Sequence, residues 1–115
     1  MIVEAVAPAI KNYGVEVYYN FFEVLTRTID MTLLIPPIVA RLPVKNSAEW
    51  IDGKGGFGVS CVVIWLESGA QLHTWSEYSL VTLDIYSCKT YDPDVVKRLF
   101  DEWFSPEGYI KILCF

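Results

Sequence analysis

Three consecutive segments in the middle of the chain have the alternating, β-branched composition of strands. They run from Val59 to Leu66, from Ala70 to Glu77 and from Leu80 to Cys88. The few residues between them suffice only for tight turns, which predicts an antiparallel meander. In the third segment, aliphatic residues face one side and mostly polar residues, including Asp84 and Cys88, face the other. The predicted sheet therefore has an apolar side and a polar side.

Two segments have the apolar spacing of helices that bury one face. The first is predicted over about residues 21–34, where Asn20 and Glu23 resemble a capping box. The second is predicted to begin at Asp92, which caps the helix, with Pro93 in its first turn. Both helices have a polar face for solvent, so we expect them to cover the apolar side of the sheet.

The remaining elements complete the predicted architecture. Residues 15–19 alternate as a first strand, residues 109–115 read as a last one, and residues 38–57 combine a possible short strand with a glycine-rich, mobile connection. The element order β-α-(β)-β-β-β-α-β predicts an α+β fold: a two-layer sandwich with a mainly antiparallel sheet and two helices on one face. Residues 1–115 are expected to form a single domain.

Composition narrows the class of partner. Of the 115 residues, 53% are hydrophobic and 20% are charged, which is ample for a folded core. The net charge is −5 and lysines and arginines do not cluster, so nucleic acid is not expected as a partner. The longest apolar stretch, residues 31–40, is interrupted by Pro36-Pro37 and is far too short to span a bilayer. We therefore expect no membrane association and a cytoplasmic location.

Cysteine usage points to free thiols. Cys61, Cys88 and Cys114 are odd in number and lack the close spacing of a zinc site, so neither a disulfide framework nor a metal is expected. Cys61 and Cys114 lie in apolar runs and are assigned to the core. Cys88 lies on the polar side, where it is either a small packing residue or a chemical group. With an ordinary pKa near 8.5, about 3% of it is thiolate at pH 7, which favours a proton donor over a nucleophile.

His73 is the only histidine, so any imidazole chemistry near neutral pH must use it. Period-two alternation places it on one face with Gln71, Trp75 and Glu77, and Ser68 lies at a tight turn a few residues before it. We expect a hydroxyl, an imidazole and a carboxylate to converge there. The alternative is a hydrogen-bonded sheet histidine with no chemical role.

Several spaced polar residues agree at once with one family. They are Gly58-Val59-Ser60, Glu67-Ser68, His73-Thr74-Trp75-x-Glu77, Asp84 and Cys88. This pattern resembles the short bacterial and archaeal S-adenosylmethionine decarboxylases. The close match covers about 30 residues, and the order of strands and helices fits the rest of the chain.

The resemblance implies a proenzyme that cleaves itself between Glu67 and Ser68 and carries no metal. The Ser68 hydroxyl would attack the Glu67 carbonyl, and elimination and hydrolysis would turn Ser68 into a pyruvoyl cofactor heading residues 68–115. By analogy with the family, Ser60 would hydrogen-bond the cleaving carbonyl and His73 would remove the α-proton that starts elimination.

The resemblance also implies the reaction of the matured enzyme. The pyruvoyl carbonyl would bind the amino group of S-adenosylmethionine as a Schiff base and accept electrons as carbon dioxide leaves. Cys88 would return a proton to the α-carbon, and Glu77 would bind the ribose hydroxyls. Leu66 and Glu67 would line the substrate site with Phe57. Short family members pair two copies with their sheets facing each other, so a homodimer is expected.

This chain departs from the family pattern at several positions. Gly69 follows the cleavage serine where histidine is usual, and Lys54 stands at the adenine-stacking position, which leaves Phe57 as a substitute. The N-terminal strand pattern of glycine, any residue and histidine, followed by an acidic residue, is matched here to Gly14-Val15-Glu16 and Asn20. The substrate site therefore differs from the family more than the processing residues do.

Three functions remain open from the sequence. The first is pyruvoyl-dependent decarboxylation of S-adenosylmethionine for spermidine synthesis. The second is a non-cleaving paralogue that acts as a binding or regulatory subunit. The third is a structural α+β domain in which His73 and Cys88 are packing residues.

Overall fold

Six strands form one antiparallel sheet in the computed structural model, which describes the backbone of residues 1–43 and 57–115 and the side chains of residues 1–41 and 58–115. The strands are β1 (Ile2–Val6), β2 (Ile38–Pro43), β3 (Phe57–Trp65), β4 (Ser68–Trp75), β5 (Leu80–Tyr86) and β6 (Ile110–Leu113). Their order is β2-β3-β4-β5-β1-β6, and each neighbouring pair is antiparallel. The N-terminal strand thus lies between β5 and the last strand.

Burial alternates along the central strands and separates the two sides of the sheet. In β5, Val81, Leu83 and Ile85 are buried, whereas Asp84 and Tyr86 are exposed. The buried side packs against the helices α1 (Val15–Thr28) and α2 (Pro93–Phe104) in one hydrophobic core. The other side, which we call the open face, carries no helix among the described residues. The predicted α+β sandwich is confirmed.

Aromatic rings join the two helices. The ring centroid of Phe21 in α1 lies 4.9 Å from that of Phe104 and 5.9 Å from that of Trp103 in α2. Phe21 and Phe104 are fully buried, and each such side chain contributes roughly 1.5–3 kcal/mol through burial. This contact joins α2 to α1, which lies against β2 and β3.

The prediction of a strand over residues 15–19 is wrong. These residues form the first turns of α1, whose N-cap is Gly14, and Asn20 lies inside the helix rather than at its start. The helix forms because Tyr18 continues the buried stripe of Phe21, Phe22 and Leu25. Tertiary burial thereby overrides the β-propensity of this segment.

The same correction affects the N-terminal match to the family and the end of the first helix. Gly14-Val15-Glu16 begins a helix and not a strand, and the N-terminal strand is β1, which was not predicted. The helix ends at Thr28, earlier than predicted, and Asp30 follows it in a left-handed conformation with φ 57°.

The structure also tests the predictions for residues 38–57, for the end of β4 and for the start of α2. The possible strand within residues 38–57 is β2, whereas residues 44–56, including Lys54 and most of the glycine-rich stretch, lie outside the described residues. Strand β4 ends at Trp75, so Glu77 lies in a short 3-10 helix (Ser76–Tyr78). The predicted cap of α2 is confirmed, since the Asp92 carboxylate accepts from the Asp94 N–H at 2.9 Å.

Candidate active site

The predicted cleavage position lies in a tight turn. Trp65 pairs with Ser68 at the end of β3 and β4, which leaves Leu66 and Glu67 as the two turn residues. Both are exposed. Glu67 has φ 59°, a left-handed conformation that costs a residue with a side chain about 1–2 kcal/mol. The backbone is therefore strained at the residue whose carbonyl belongs to the Glu67–Ser68 bond.

Two contacts of the residues just before Glu67 hold this turn in place. The Trp65 indole is 1% exposed, and its Nε1–H donates to Thr26 Oγ1 in α1 at 2.9 Å. The Leu66 N–H donates to the Thr32 carbonyl at 3.0 Å. Because these anchors lie next to Glu67, the turn is fixed and its strain cannot relax by movement of the hairpin as a whole.

Ser68 contacts the loop that carries Cys88. The Cys88 N–H donates to Ser68 Oγ at 3.1 Å, and Ser68 is half-buried. The Cys88 thiol is exposed and lies 3.9 Å from the Tyr86 hydroxyl. The neighbouring thiol raises the pKa of Tyr86 through this contact. The structure thus brings two of the predicted site residues, Ser68 and Cys88, into one group.

A cavity of about 450 Å³ opens beside this group, at the ends of β5 and β6. The volume is within the range of small-molecule sites, roughly 300–1,000 Å³. Its wall includes Cys88, Tyr86 and Tyr91, together with Cys114. Cys114 is exposed, so its assignment to the core is wrong. Cys61, by contrast, is buried as predicted, and burial raises its pKa to about 12.

A second group of predicted residues lies on the open face. Ser60 Oγ is 2.9 Å from His73 Nδ1, and His73 Nε2 is 3.4 Å from Gln71 Oε1. Ser60 and His73 pair directly across β3 and β4, and both are half-buried. The serine and the amide together orient the imidazole by engaging both ring nitrogens, one of which donates and the other accepts according to the tautomer.

The two groups are separate within one chain. His73 lies five residues beyond Ser68 along β4, which corresponds to about 17 Å of extended strand. The expected convergence of hydroxyl, imidazole and carboxylate in a single chain is therefore wrong. The reason is the hairpin register, which places Ser60 and His73 far from the turn that holds Ser68.

The remaining predicted residues divide between these two ends of β4. Glu77 is exposed in the 3-10 helix after β4, on the side of His73. Leu66 and Glu67 form the turn at the side of Ser68. The side chain of Phe57, the expected adenine neighbour, lies outside the described residues.

Gly69 stands where histidine is usual in the family, and the backbones of β3 and β4 lie close together at this position. A Cβ at this position would lie 3.0 Å from the Val63 carbonyl oxygen, which is tight for any side chain. In this hairpin the glycine therefore lets β3 and β4 approach next to the cleavage position. A residue larger than glycine would require the neighbouring backbone to shift.

The sequence analysis missed one pair of residues near the site. Lys89, directly after Cys88, forms an ion pair with Asp30 at the end of α1, with Nζ 2.8 Å from Oδ2. Hydrogen bonding and the positive charge of Lys89 lower the pKa of the Asp30 carboxyl. The two residues are 59 positions apart, and no motif or periodicity links them.

The open face combines these polar residues with exposed apolar side chains. The large apolar residues exposed on it include Ile38, Val62, Ile64, Trp75, Tyr86 and Leu113. An apolar patch of this kind marks an interaction surface more often than a solvated one.

Two further properties concern the described part of the chain only. Within residues 1–43 and 57–115, no cluster of three or more histidine, cysteine, aspartate or glutamate side chains is placed to bind a metal ion. Neither α1 nor α2 has the length and apolar character required to cross a membrane.

Comparison with known proteins identifies the family of the chain. The family model described as S-adenosylmethionine decarboxylase matches residues 14–111. Three relatives named S-adenosylmethionine decarboxylase proenzyme come from Sulfolobus acidocaldarius, Sulfurisphaera tokodaii and Aeropyrum pernix. The first is 36% identical over 84 residues, 70% of this chain and 69% of the relative. The second is 34% identical over 87 residues (72% and 71%), and the third is 36% identical over 80 residues (66% and 62%). The chain belongs to the S-adenosylmethionine decarboxylase family.

Proposed function

We propose that this chain is the proenzyme of a pyruvoyl-dependent S-adenosylmethionine decarboxylase and that it cleaves itself between Glu67 and Ser68. The observation that carries the proposal is the strained turn: Glu67 has a positive φ, and the hydroxyl of the next residue is held by the Cys88 N–H at 3.1 Å. A nucleophile is thus fixed beside a strained peptide bond, and intramolecular placement of this kind supplies roughly 7–11 kcal/mol of a reaction barrier.

The cleavage first exchanges the Glu67–Ser68 amide for an ester. The ester is then broken by β-elimination. Ser68 Oγ bonds to the Glu67 carbonyl carbon, the C–N bond breaks, and the hydroxyl proton goes to the departing amine. A base removes the α-proton of residue 68, and the main-chain carboxylate of Glu67, which now contains the former Ser68 Oγ, leaves from the β-carbon. The dehydroalanine that remains becomes an imine, and water hydrolyses it to a pyruvoyl group and ammonia.

His73 is the base that we assign to the α-proton, with Ser60 and Gln71 orienting its ring at 2.9 and 3.4 Å. Because about 17 Å of strand separates His73 from Ser68 within one chain, this assignment requires a second copy. The Ser68 side chain lies on the same side of the sheet as its partner Trp65, opposite to His73, so the approach must occur at the turn, where the backbone of residue 68 is at the end of the sheet. In a dimer with a two-fold axis, His73 of each copy can approach the α-carbon of residue 68 of the other at this end. Each of the two sites would then combine residues from both copies.

The open face is the surface that we assign to this dimer. Its apolar side chains, among them Val62 and Ile64, lose contact with water when a second sheet covers them. Ser60 and His73 lie on the same face, directly beside these residues along β3 and β4. A face-to-face pair would therefore bury the apolar patch and bring the imidazole to the interface in a single step.

The residues around position 68 fit a pyruvoyl group. The Cys88 N–H loses its acceptor, Ser68 Oγ, when that oxygen leaves with residue 67, so this donor becomes available to the group that forms at residue 68. The Cys88 thiol is exposed, and the cavity beside the loop has the volume of a small-molecule site. When present, this group supplies an electron sink for decarboxylation. The Cys88 thiol donates a proton to the substrate α-carbon, and Glu77 of the second copy, which lies at the His73 end of its β4, accepts hydrogen bonds from the ribose hydroxyls. The product is the aminopropyl donor of spermidine synthesis.

The strain at Glu67 gives a testable effect on the cleavage rate. In the Glu67→Gly variant the left-handed turn carries no side-chain penalty, so about 1 kcal/mol of strain is lost. We expect cleavage to slow roughly fivefold, as measured by the appearance of the two fragments on denaturing gels. Glu67→Gln keeps the penalty and removes the charge, so it serves as the control. Equal rates in the two variants would show that strain does not assist the reaction.

Release of carbon dioxide from carboxyl-labelled S-adenosylmethionine tests the proposed function directly. We expect the cleaved protein to release labelled carbon dioxide and to lose this activity after treatment with a carbonyl reagent such as hydroxylamine. An intact chain that binds S-adenosylmethionine without releasing carbon dioxide would identify the non-cleaving paralogue instead. Absence of both binding and release would leave only a structural domain.

A further inference from the structure

The loop that carries Cys88 is tied to the end of α1 by the residue next to it. Lys89 Nζ donates to the Asp30 carbonyl oxygen at 2.5 Å and to Asp30 Oδ2 at 2.8 Å. Because Asp30 directly follows the last turn of the helix, the cation lies where the helix dipole is negative. The ammonium group thus interacts with a side chain, a backbone carbonyl and a helix end at the same time.

Within the loop, Cys88 is enclosed by a second pair of bonds. Ser87 Oγ donates to the Lys89 carbonyl at 2.6 Å and accepts from the Lys89 N–H at 2.9 Å. The two residues flanking Cys88 are therefore bonded to each other. Restraining Lys89 consequently restrains the backbone of Cys88 as well.

The chain that follows Asp30 runs beside the cleavage turn. The Thr32 carbonyl accepts from the Leu66 N–H at 3.0 Å, and the Leu34 N–H donates to the Ile64 carbonyl at 3.0 Å. The segment that holds Lys89 therefore also holds the residues just before Glu67.

These contacts close a ring around the Glu67–Ser68 bond. The ring runs from Ser68 to Cys88, through Lys89 and Asp30 to the segment beside the turn, and back to Ser68. We propose that the Asp30–Lys89 pair is a positioning device that holds the Cys88 loop at a fixed distance from residue 68. This inference rests on the proposed function, in which both Ser68 and Cys88 take part in the chemistry.

Two properties favour positioning over stability as the role of this pair. The side chains of Lys89 and Asp30 are 51% and 93% exposed, and exposed pairs add little to the free energy of unfolding. After cleavage at residue 67, Asp30 belongs to the N-terminal fragment and Lys89 to the C-terminal fragment. The pair then joins the two fragments at the loop that carries the proton donor.

The test compares Lys89→Met, which removes the charge and keeps the stem, with Lys89→Arg, which keeps a cationic donor. For Lys89→Met we expect kcat to fall about tenfold, because small displacements of a reacting group reduce rates strongly. Lys89 also lines the cavity, so KM can change as well, but we expect kcat to fall by a larger factor than KM rises because the pair acts on the position of Cys88. Lys89→Arg should recover most of kcat.

Lys97→Met is the control, because Lys97 also forms an ion pair, with Nζ 2.5 Å from Asp101 Oδ2, but within α2 and between two half-buried residues. It should leave kcat unchanged. Amide hydrogen exchange of residues 87–91 adds a readout that needs no activity, and it should become faster in Lys89→Met only. The inference is overturned if kcat in Lys89→Met equals that of Lys97→Met.

The exchange measurement separates failure of this inference from failure of the proposed function. If the wild-type chain neither cleaves nor releases carbon dioxide, the proposed function is wrong. In that case unchanged exchange in Lys89→Met overturns the positioning role as well. Faster exchange confined to Lys89→Met supports the physical restraint of the loop.

Discussion

Ser68→Ala is expected to abolish self-cleavage completely, because no other hydroxyl follows the Glu67 carbonyl in the turn. The purified variant should migrate as one chain of 115 residues, without cleavage after long incubation. It should release no carbon dioxide from S-adenosylmethionine, since the pyruvoyl group cannot form without the serine. Loss of one hydrogen bond to the Cys88 N–H costs about 1 kcal/mol, so the fold should persist.

The control for this variant is Thr28→Ala. Thr28 also loses a hydroxyl, one that donates to the Val24 carbonyl at 2.7 Å on the exposed end of α1, far along the chain from the turn. Thr28→Ala should cleave at the wild-type rate. If Ser68→Ala gave the same two fragments as the wild type, cleavage at this position would be ruled out.

The His73→Gln variant is expected not to cleave when it is expressed alone. Co-expression with Ser68→Ala is expected to restore its cleavage. Removal of a general base lowers rates by about 10²–10⁴. When His73→Gln is co-expressed with Ser68→Ala, mixed dimers contain one complete site, formed by Ser68 of one copy and His73 of the other. We expect up to about half of the His73→Gln chains to cleave at equal expression, because random pairing places half of them in mixed dimers.

A double variant provides the control for this experiment. Co-expression of His73→Gln with a chain carrying both Ser68→Ala and His73→Gln supplies no imidazole, so no cleavage should occur. Different tags distinguish the chains on denaturing gels. Failure of the first mixture to cleave, with mixed dimers present, would disprove the shared site.

The architecture was predictable where its signals are local. Period-two patterns located β3, β4 and β5, and the Asp92-Pro93 pair located the start of α2. The first 20 residues were not predictable in this way. Tyr18 joins a helix because its ring stacks with Phe104 at 6.1 Å, a contact between distant parts of the chain. The strand β1 likewise exists through its pairing with β5 and β6.

The site was predictable residue by residue but not in its arrangement. The family resemblance identified Ser68, His73 and Cys88, and the structure places each within one of two groups. Once the turn is located at residues 66–67, antiparallel register pairs Ser60 with His73 and separates both from Ser68. Ser68 was correctly predicted at a tight turn, but the prediction of convergence left out this register and the separation of five positions along β4 between Ser68 and His73.

The Asp30–Lys89 contact could not have been predicted from the sequence. It depends on where α1 ends and on the path of the loop after β5, and both follow from packing rather than from local pattern. A left-handed aspartate after a helix is recognisable only once the helix end is known.

Intact mass spectrometry of the purified protein tests the proposed cleavage most directly. The account predicts two chains, residues 1–67 and residues 68–115, with the second lighter by one ammonia than a fragment that begins with serine. Its N-terminus should resist sequential degradation because it carries no amino group. A single chain with the unmodified mass of residues 1–115, persisting under conditions in which the protein is folded, would contradict the account.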